Sequence, residues 1–184
     1  MTQYQNAKLK YQNHVSNSFV NVKSRAIVET VICTIIAVVF PAIFAHAPQN
    51  QFIVGPIVNA VLFWVALRVG ITNALFIAVI PSLIALFRGL LPPTSAPVVP
   101  FIILGNCAMI LAFSFLKSRI WLGVFAGSTI KTLVIFLPVW LFLNSSPPVT
   151  FMMSWPQLVT AIVGGFVVII LNRKSFASGC HPRA

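Results

Sequence analysis

One lysine constrains this chain more than any other residue. Lys131 lies about midway along an apolar run from Ile120 to Leu143. A run of that length matches the ~30 Å of a hydrocarbon layer. On insertion scales a lysine at its centre costs ~2.5–3.5 kcal/mol. Buried charges are normally paired, yet the whole chain holds a single acid, Glu29. Any fold must therefore offer Lys131 something else: backbone carbonyls, amide side chains, water, an acid on a partner chain, or an anionic ligand. The plainer alternative is a lysine that snorkels or bonds to freed carbonyls.

The surroundings of Lys131 point to lipid as the solvent. Of 184 residues, 59% are hydrophobic and only 7% charged, with a mean hydropathy of +0.98. That is too little charge to cover the surface of a soluble domain of this length. Six apolar runs are legible: Ala26 to Ala47, Phe52 to Val69, Ile71 to Leu91, Val98 to Leu116, Ile120 to Leu143, and Gln157 to Leu171. The first ends in Ala45-His46-Ala47, which mimics a signal-peptide cleavage site. Its apolar core is longer than the usual ~7–15 residues of such peptides, and Pro48 follows the would-be cut, so it reads as a membrane helix loosened at Pro41. The expected fold is an all-α polytopic membrane protein with six transmembrane helices. A polar tail, residues 1–25, precedes the membrane domain, residues 26–171, and a short basic tail, residues 172–184, follows it. The first tail has room for a surface-lying helix.

The net charge of +11 carries topology rather than nucleic-acid chemistry, because the cations sit beside apolar runs and form no basic stripe. Ten of the twelve fall on one face: Lys8, Lys10, Lys23, Arg25, Arg68, Lys117, Arg119, Arg173, Lys174 and Arg183. The positive-inside rule then predicts both termini in the cytoplasm. Arg88 is left as the one basic residue of the outer face. It precedes a loop stiffened by Pro92, Pro93, Pro97 and Pro100. Asn59 and Asn106 lie at similar depth in the second and fourth runs, and asparagine in lipid must bond to another helix or to a ligand. Arg88, Lys131, Asn59 and Asn106 are thus the expected solute-binding residues, with His46, Gln157 and Trp140 as weaker additions. Helix-to-helix bonding is the competing role for both asparagines, and an interfacial contact with lipid headgroups for Arg88.

Other features read as structural. Arg25 and Glu29 are spaced as an i, i+4 pair near a helix start. Gly123 and Gly127 form a small-xxx-small motif for close helix contact. Cys33, Cys107 and Cys180 show no disulfide or metal-ligand spacing. No phosphate-binding loop, carboxylate pair, metal cluster or nucleophile triad is present in the sequence, so the expectation is no enzyme, no cofactor and no metal. With one acid, carboxylate-based ion coupling is hard to build, and the energy for any transport must come from other subunits.

Three segments carry a family resemblance: Gly55-Pro56-Ile57-Val58-Asn59-Ala60, the stretch Arg88 to Pro93, and the stretch Ala96 to Asn106. Together with Lys131 they resemble a subgroup of substrate-binding (S) components of bacterial energy-coupling factor (ECF) transporters. Some relatives carry the label iron hydrogenase, but nothing in this sequence could ligate an iron–sulfur cluster. The resemblance implies a six-helix bundle with a small-molecule site in its outer half. It also implies a transmembrane coupling (T) subunit and two cytoplasmic ATPases as partners, and a micronutrient as cargo. An anionic group, carboxylate or phosphate, is the expected complement of a pocket lined by cations. The alanine row by which such chains dock is altered here to Ala26, Thr30 and Thr34, with Cys33 and Ala37 as a second row. A membrane anchor or assembly subunit, with Lys131 paired to a partner's acid, is the rival reading; a homo-oligomeric channel is a third.

Overall fold

The computed structural model describes the backbone of residues 2–44, 51–87, 93–142, 150–151 and 153–177; within these, side chains are described outside residues 2–22, 85, 93–95, 142 and 174–177. Six long α-helices account for nearly all of it: α1 (Thr2–Ile43), α2 (Gln51–Arg68), α3 (Ile71–Phe87), α4 (Val99–Phe115), α5 (Ile120–Phe142) and α6 (Trp155–Ala177). Among the described residues there is no strand. Five helical stretches are long and apolar enough to cross a membrane; α3 is short of that length, with an apolar core of Ile71–Ile84. This is the architecture of a multi-pass membrane protein. Its outer surface agrees, because Val28, Ile35, Leu104, Phe115, Leu122 and Leu141 all stand exposed. In water such faces would be an aggregation hazard, whereas in lipid they cost nothing.

Helix boundaries follow the apolar runs closely. The polar N-terminal segment is helical from Thr2 and continuous with the first span, giving a helix of 42 residues. At ~1.5 Å per residue that is about 63 Å, twice the hydrocarbon thickness. The third run was expected to reach Leu91; α3 is described to Phe87, and residues 88–91 lie outside the described residues.

Two turns set the hairpins. Gly70 takes φ of 141°, a conformation that L side chains rarely adopt, and its N–H donates to the Val65 carbonyl at 2.9 Å. That ends α2 and lets α3 begin one residue later. Between α4 and α5 a single 3-10 turn, Lys117–Arg119, reverses the chain. The proline-rich connection before α4 is a second 3-10 turn, Pro93–Val98, whose last residue Val98 is fully buried.

Glycines set how closely the helices cross. A Cβ on Gly127 would lie 2.9 Å from the Met109 carbonyl oxygen, and one on Gly123 would lie 3.0 Å from the Phe113 ring. The small-xxx-small face of α5 therefore packs against α4 inside the bundle, as its spacing implied. A Cβ on Gly164 would meet the Pro56 carbonyl and the Ala60 amide, each at 2.7 Å, so α6 and α2 also touch backbone to backbone.

The main core lies in the half of the bundle that ends at Arg68, Lys117 and Arg173. Phe63 and Phe113 meet edge to face at 4.9 Å, surrounded by Leu62, Val65, Ile77, Met109, Ile110 and Val168. Cys33 and Ala37 seat α1 on this core, and Cys33 is a free thiol. Cations and tryptophans cluster at the same end: the Arg68 guanidinium lies 5.3 Å from the Trp64 ring and that of Arg173 lies 5.9 Å from the Trp121 ring. Arg25 bonds Glu29 at 3.4 Å, so the lone acid is engaged locally. A smaller cluster of Val98, Ile135, Val139 and Met153 closes the opposite half.

Candidate functional site

In that opposite half the helices hold a polar cavity of about 180 Å³. Its wall draws on the C-terminal part of α1 (Pro41), the start of α2 (Gln51 to Asn59), α3 (Pro81, Ser82), the start of α4 (Val99, Ile102, Asn106), the middle of α5 (Lys131) and the approach to α6 (Met153, Gln157). Every helix contributes, so the cavity lies on the bundle axis.

Lys131 is 4% exposed, and its Nζ donates to Asn59 Oδ1 at 2.5 Å. The buried lysine thus finds an amide, one of the compensations its position demanded. Glu29 is engaged elsewhere. An ammonium carries three donors, so the bond to Asn59 leaves two for other partners. Asn59 is itself fully buried, and its place is set by Gly164 one helix away, whose missing side chain admits the Pro56–Ala60 backbone. On the other side, a Cβ at Gly105 would lie 3.2 Å from the Lys131 carbonyl and 2.7 Å from Ile135. The Gly-Asn pair of the fourth run therefore has a physical reason: Gly105 brings α4 close enough to α5 for Asn106 to reach the lysine's cavity.

Asn106 lines the same cavity, 4% exposed, and its Oδ1 has no hydrogen-bond partner. Ser114 and Ser128 hydroxyls are also without partners among the described residues, but neither lines this cavity. A buried amide oxygen left unbonded costs roughly 1–3 kcal/mol, so an orphan facing a cavity marks a place where a ligand can contribute. Gln157 is buried beside it, and its Nε2 reaches only the Met153 sulfur at 3.6 Å, a weak acceptor.

Three of the four expected site residues, Asn59, Asn106 and Lys131, are brought together here. Arg88 and His46 lie outside the described residues. Trp140 is not part of the cavity: it is 63% exposed and stacks on Phe136 along the outside of α5. Gln157 is a full member of the lining. Ser82, Gln51 and Met153 were not expected, and a serine or methionine in an apolar run carries no signal of which way it faces.

Two other recesses are apolar and shallow in chemistry. One of about 380 Å³ runs between α1 and the start of α3, past Ala26, Thr30 and Asn73. The hydroxyls of Thr30 and Thr34 are spent on the Ala26 and Thr30 carbonyls, at 2.7 and 2.8 Å. The other, about 360 Å³, lies where α1, α2 and α6 diverge, beside Cys33, Trp64 and Val168. Neither gathers convergent buried polar groups, and no cluster of potential metal ligands occurs among the described residues. Comparison with protein-family models, with curated proteins and with solved structures found no match to the chain.

Proposed function

We propose that the chain is a membrane-embedded solute-binding subunit of an ECF-type importer, which captures a small anionic micronutrient for uptake driven by partner ATPases. The observation that carries this reading is the cavity itself: one lysine, two asparagines and a glutamine drawn from four helices onto one space inside an apolar bundle. Helix-to-helix bonding accounts for the Lys131–Asn59 pair alone, since Asn106 Oδ1 has no partner and Gln157 reaches only a weak sulfur acceptor. The sequence resemblance supports the same conclusion independently, because Asn59, Asn106 and Lys131 belong to the segments that carry it.

In this reading α3 is the sixth span, both termini face the cytoplasm, and the cavity opens toward the outer face of a bacterial inner membrane. The distribution of Arg68, Lys117, Arg119 and Arg173 at the end opposite the cavity supports that orientation. A transmembrane coupling subunit and two ATPases supply the energy, which this chain has no means to generate.

The test is coexpression of the chain with coupling and ATPase subunits of a bacterium that encodes it, followed by purification on the chain. Copurification, with a small molecule retained in native mass spectrometry and lost on Lys131→Met, is the expected result. Purification of the chain alone, empty in both forms, overturns the proposal.

A further inference from the structure

Resting on the solute-binding reading, we infer that the ligand is a small monoanionic carboxylic acid that also bears one N–H or O–H donor, held with its carboxylate at Lys131 and its donor at Asn106. Charge balance selects the first feature. Among the described cavity residues Lys131 is the single cation and none is acidic. A monoanion balances that one charge; a phosphomonoester would exceed it in a low-dielectric space, and a neutral solute would leave the ammonium with Asn59 alone. The two donors that Lys131 retains match the two oxygens of a carboxylate.

The orphan Oδ1 of Asn106 selects the second feature. It is an acceptor with no partner, on a side chain that lines the cavity. A ligand that offers it an N–H or O–H removes the penalty of an unbonded buried amide, and one that lacks the donor does not. Sites built this way reject analogues missing a single hydrogen-bonding group far more strongly than apolar pockets reject a missing methylene. Size supplies the third constraint. The cavity of about 180 Å³ falls below the usual range for drug-sized ligands, and corresponds to on the order of ten non-hydrogen atoms. Its remaining walls, including Val58 and Ile102, are apolar and suit one ring or a short chain.

The experiment uses the full chain in lipid nanodiscs and a matched panel of one-ring and short-chain probes. Benzoate and hexanoate form one set, hydroxybenzoate, aminobenzoate and hydroxyhexanoate a second, the corresponding carboxamides a third and phenyl phosphate a fourth. Binding is read by thermal shift and calorimetry, and the molecule retained from cells is identified by native mass spectrometry. The expected result is that a hydroxy or amino acid binds at least tenfold more tightly than its unsubstituted parent. Asn106→Leu and Asn106→Ala, each checked for an intact elution profile, erase that preference, while Lys131→Met removes binding of all the acids. A carboxamide or phosphate that matches the best acid overturns the inference, as does a preference that survives both Asn106 variants. If the panel fails, a retained monoanionic acid with a donor still supports it, and a retained neutral or polyanionic molecule overturns it alone. No binding and no retained molecule overturns the solute-binding reading together with it.

Discussion

The two halves of the bundle solve different problems with the same six helices. Toward Arg68, Lys117 and Arg173 the interior is continuous and apolar, centred on Phe63 and Phe113. Toward the other end the apolar cluster is small, and the space beside it is taken by Lys131, Asn59, Asn106 and Gln157. Proline divides the halves. Pro41, Pro56, Pro81 and Pro138 all interrupt helices in the polar half, and the other half of the bundle has no helix-interior proline. A proline removes one helical hydrogen bond and so loosens its helix where it stands. Lipid-facing helices gain little from the hydrophobic effect, so tight van der Waals contact must hold them together. In the polar half that contact is kept at Gly105 and Gly164, which hold the backbones together around the cavity.

The sharpest way to break this division is to damage each half and read both outputs. Phe113→Ala, in the dense half, is expected to lower unfolding stability by about 3–5 kcal/mol while the protein that remains folded keeps its ligand preference; denaturant titration in detergent beside binding assays measures both. Lys131→Met is expected to do the reverse, reducing affinity by at least ~100-fold, about 2.7 kcal/mol, with a melting temperature unchanged or higher, since apolar replacement of a buried charge is often neutral or stabilising. A large loss of stability in Lys131→Met without loss of binding would reverse the assignment of the two halves.

Where the halves meet, effects should mix. Gly164→Ala forces a methyl against the Pro56 carbonyl and Ala60 amide, and is expected to cost about 1–3 kcal/mol of stability and to weaken binding by moving Asn59. Asn59→Leu leaves Lys131 without its amide, and a five- to thirtyfold loss of affinity is expected, roughly 1–2 kcal/mol. Arg173→Gln, at the far end, removes only the guanidinium over Trp121. It should shift stability by about 0.5–1 kcal/mol and leave affinity untouched, as calorimetry would report.

The sequence made the helices legible because unbroken apolar length is a coarse signal that tolerates a few residues of error. The polar members of the site were legible for a related reason: in a chain with so few polar residues inside its spans, Asn59, Asn106 and Lys131 had to meet something, and the two asparagines lie at similar depth. Direction was not legible. A helix that is apolar all round has no periodicity to orient it, so Trp140 could face lipid and Gln157 the cavity without any sign in the spacing. A helix in the polar N-terminal segment was foreseen only as a surface-lying one; that it runs from Thr2 unbroken into the first span was not legible, since a polar, Gln- and Asn-rich segment carries no apolar stripe.

The bond between Lys131 and Asn59 also has a consequence for biosynthesis. Its partners are 72 residues apart, and α2 leaves the ribosome first. At ~5–20 residues per second, Asn59 waits in the membrane for about 4–14 s before Lys131 emerges. The helix that is hardest to insert thus arrives where an acceptor for its ammonium is already in place.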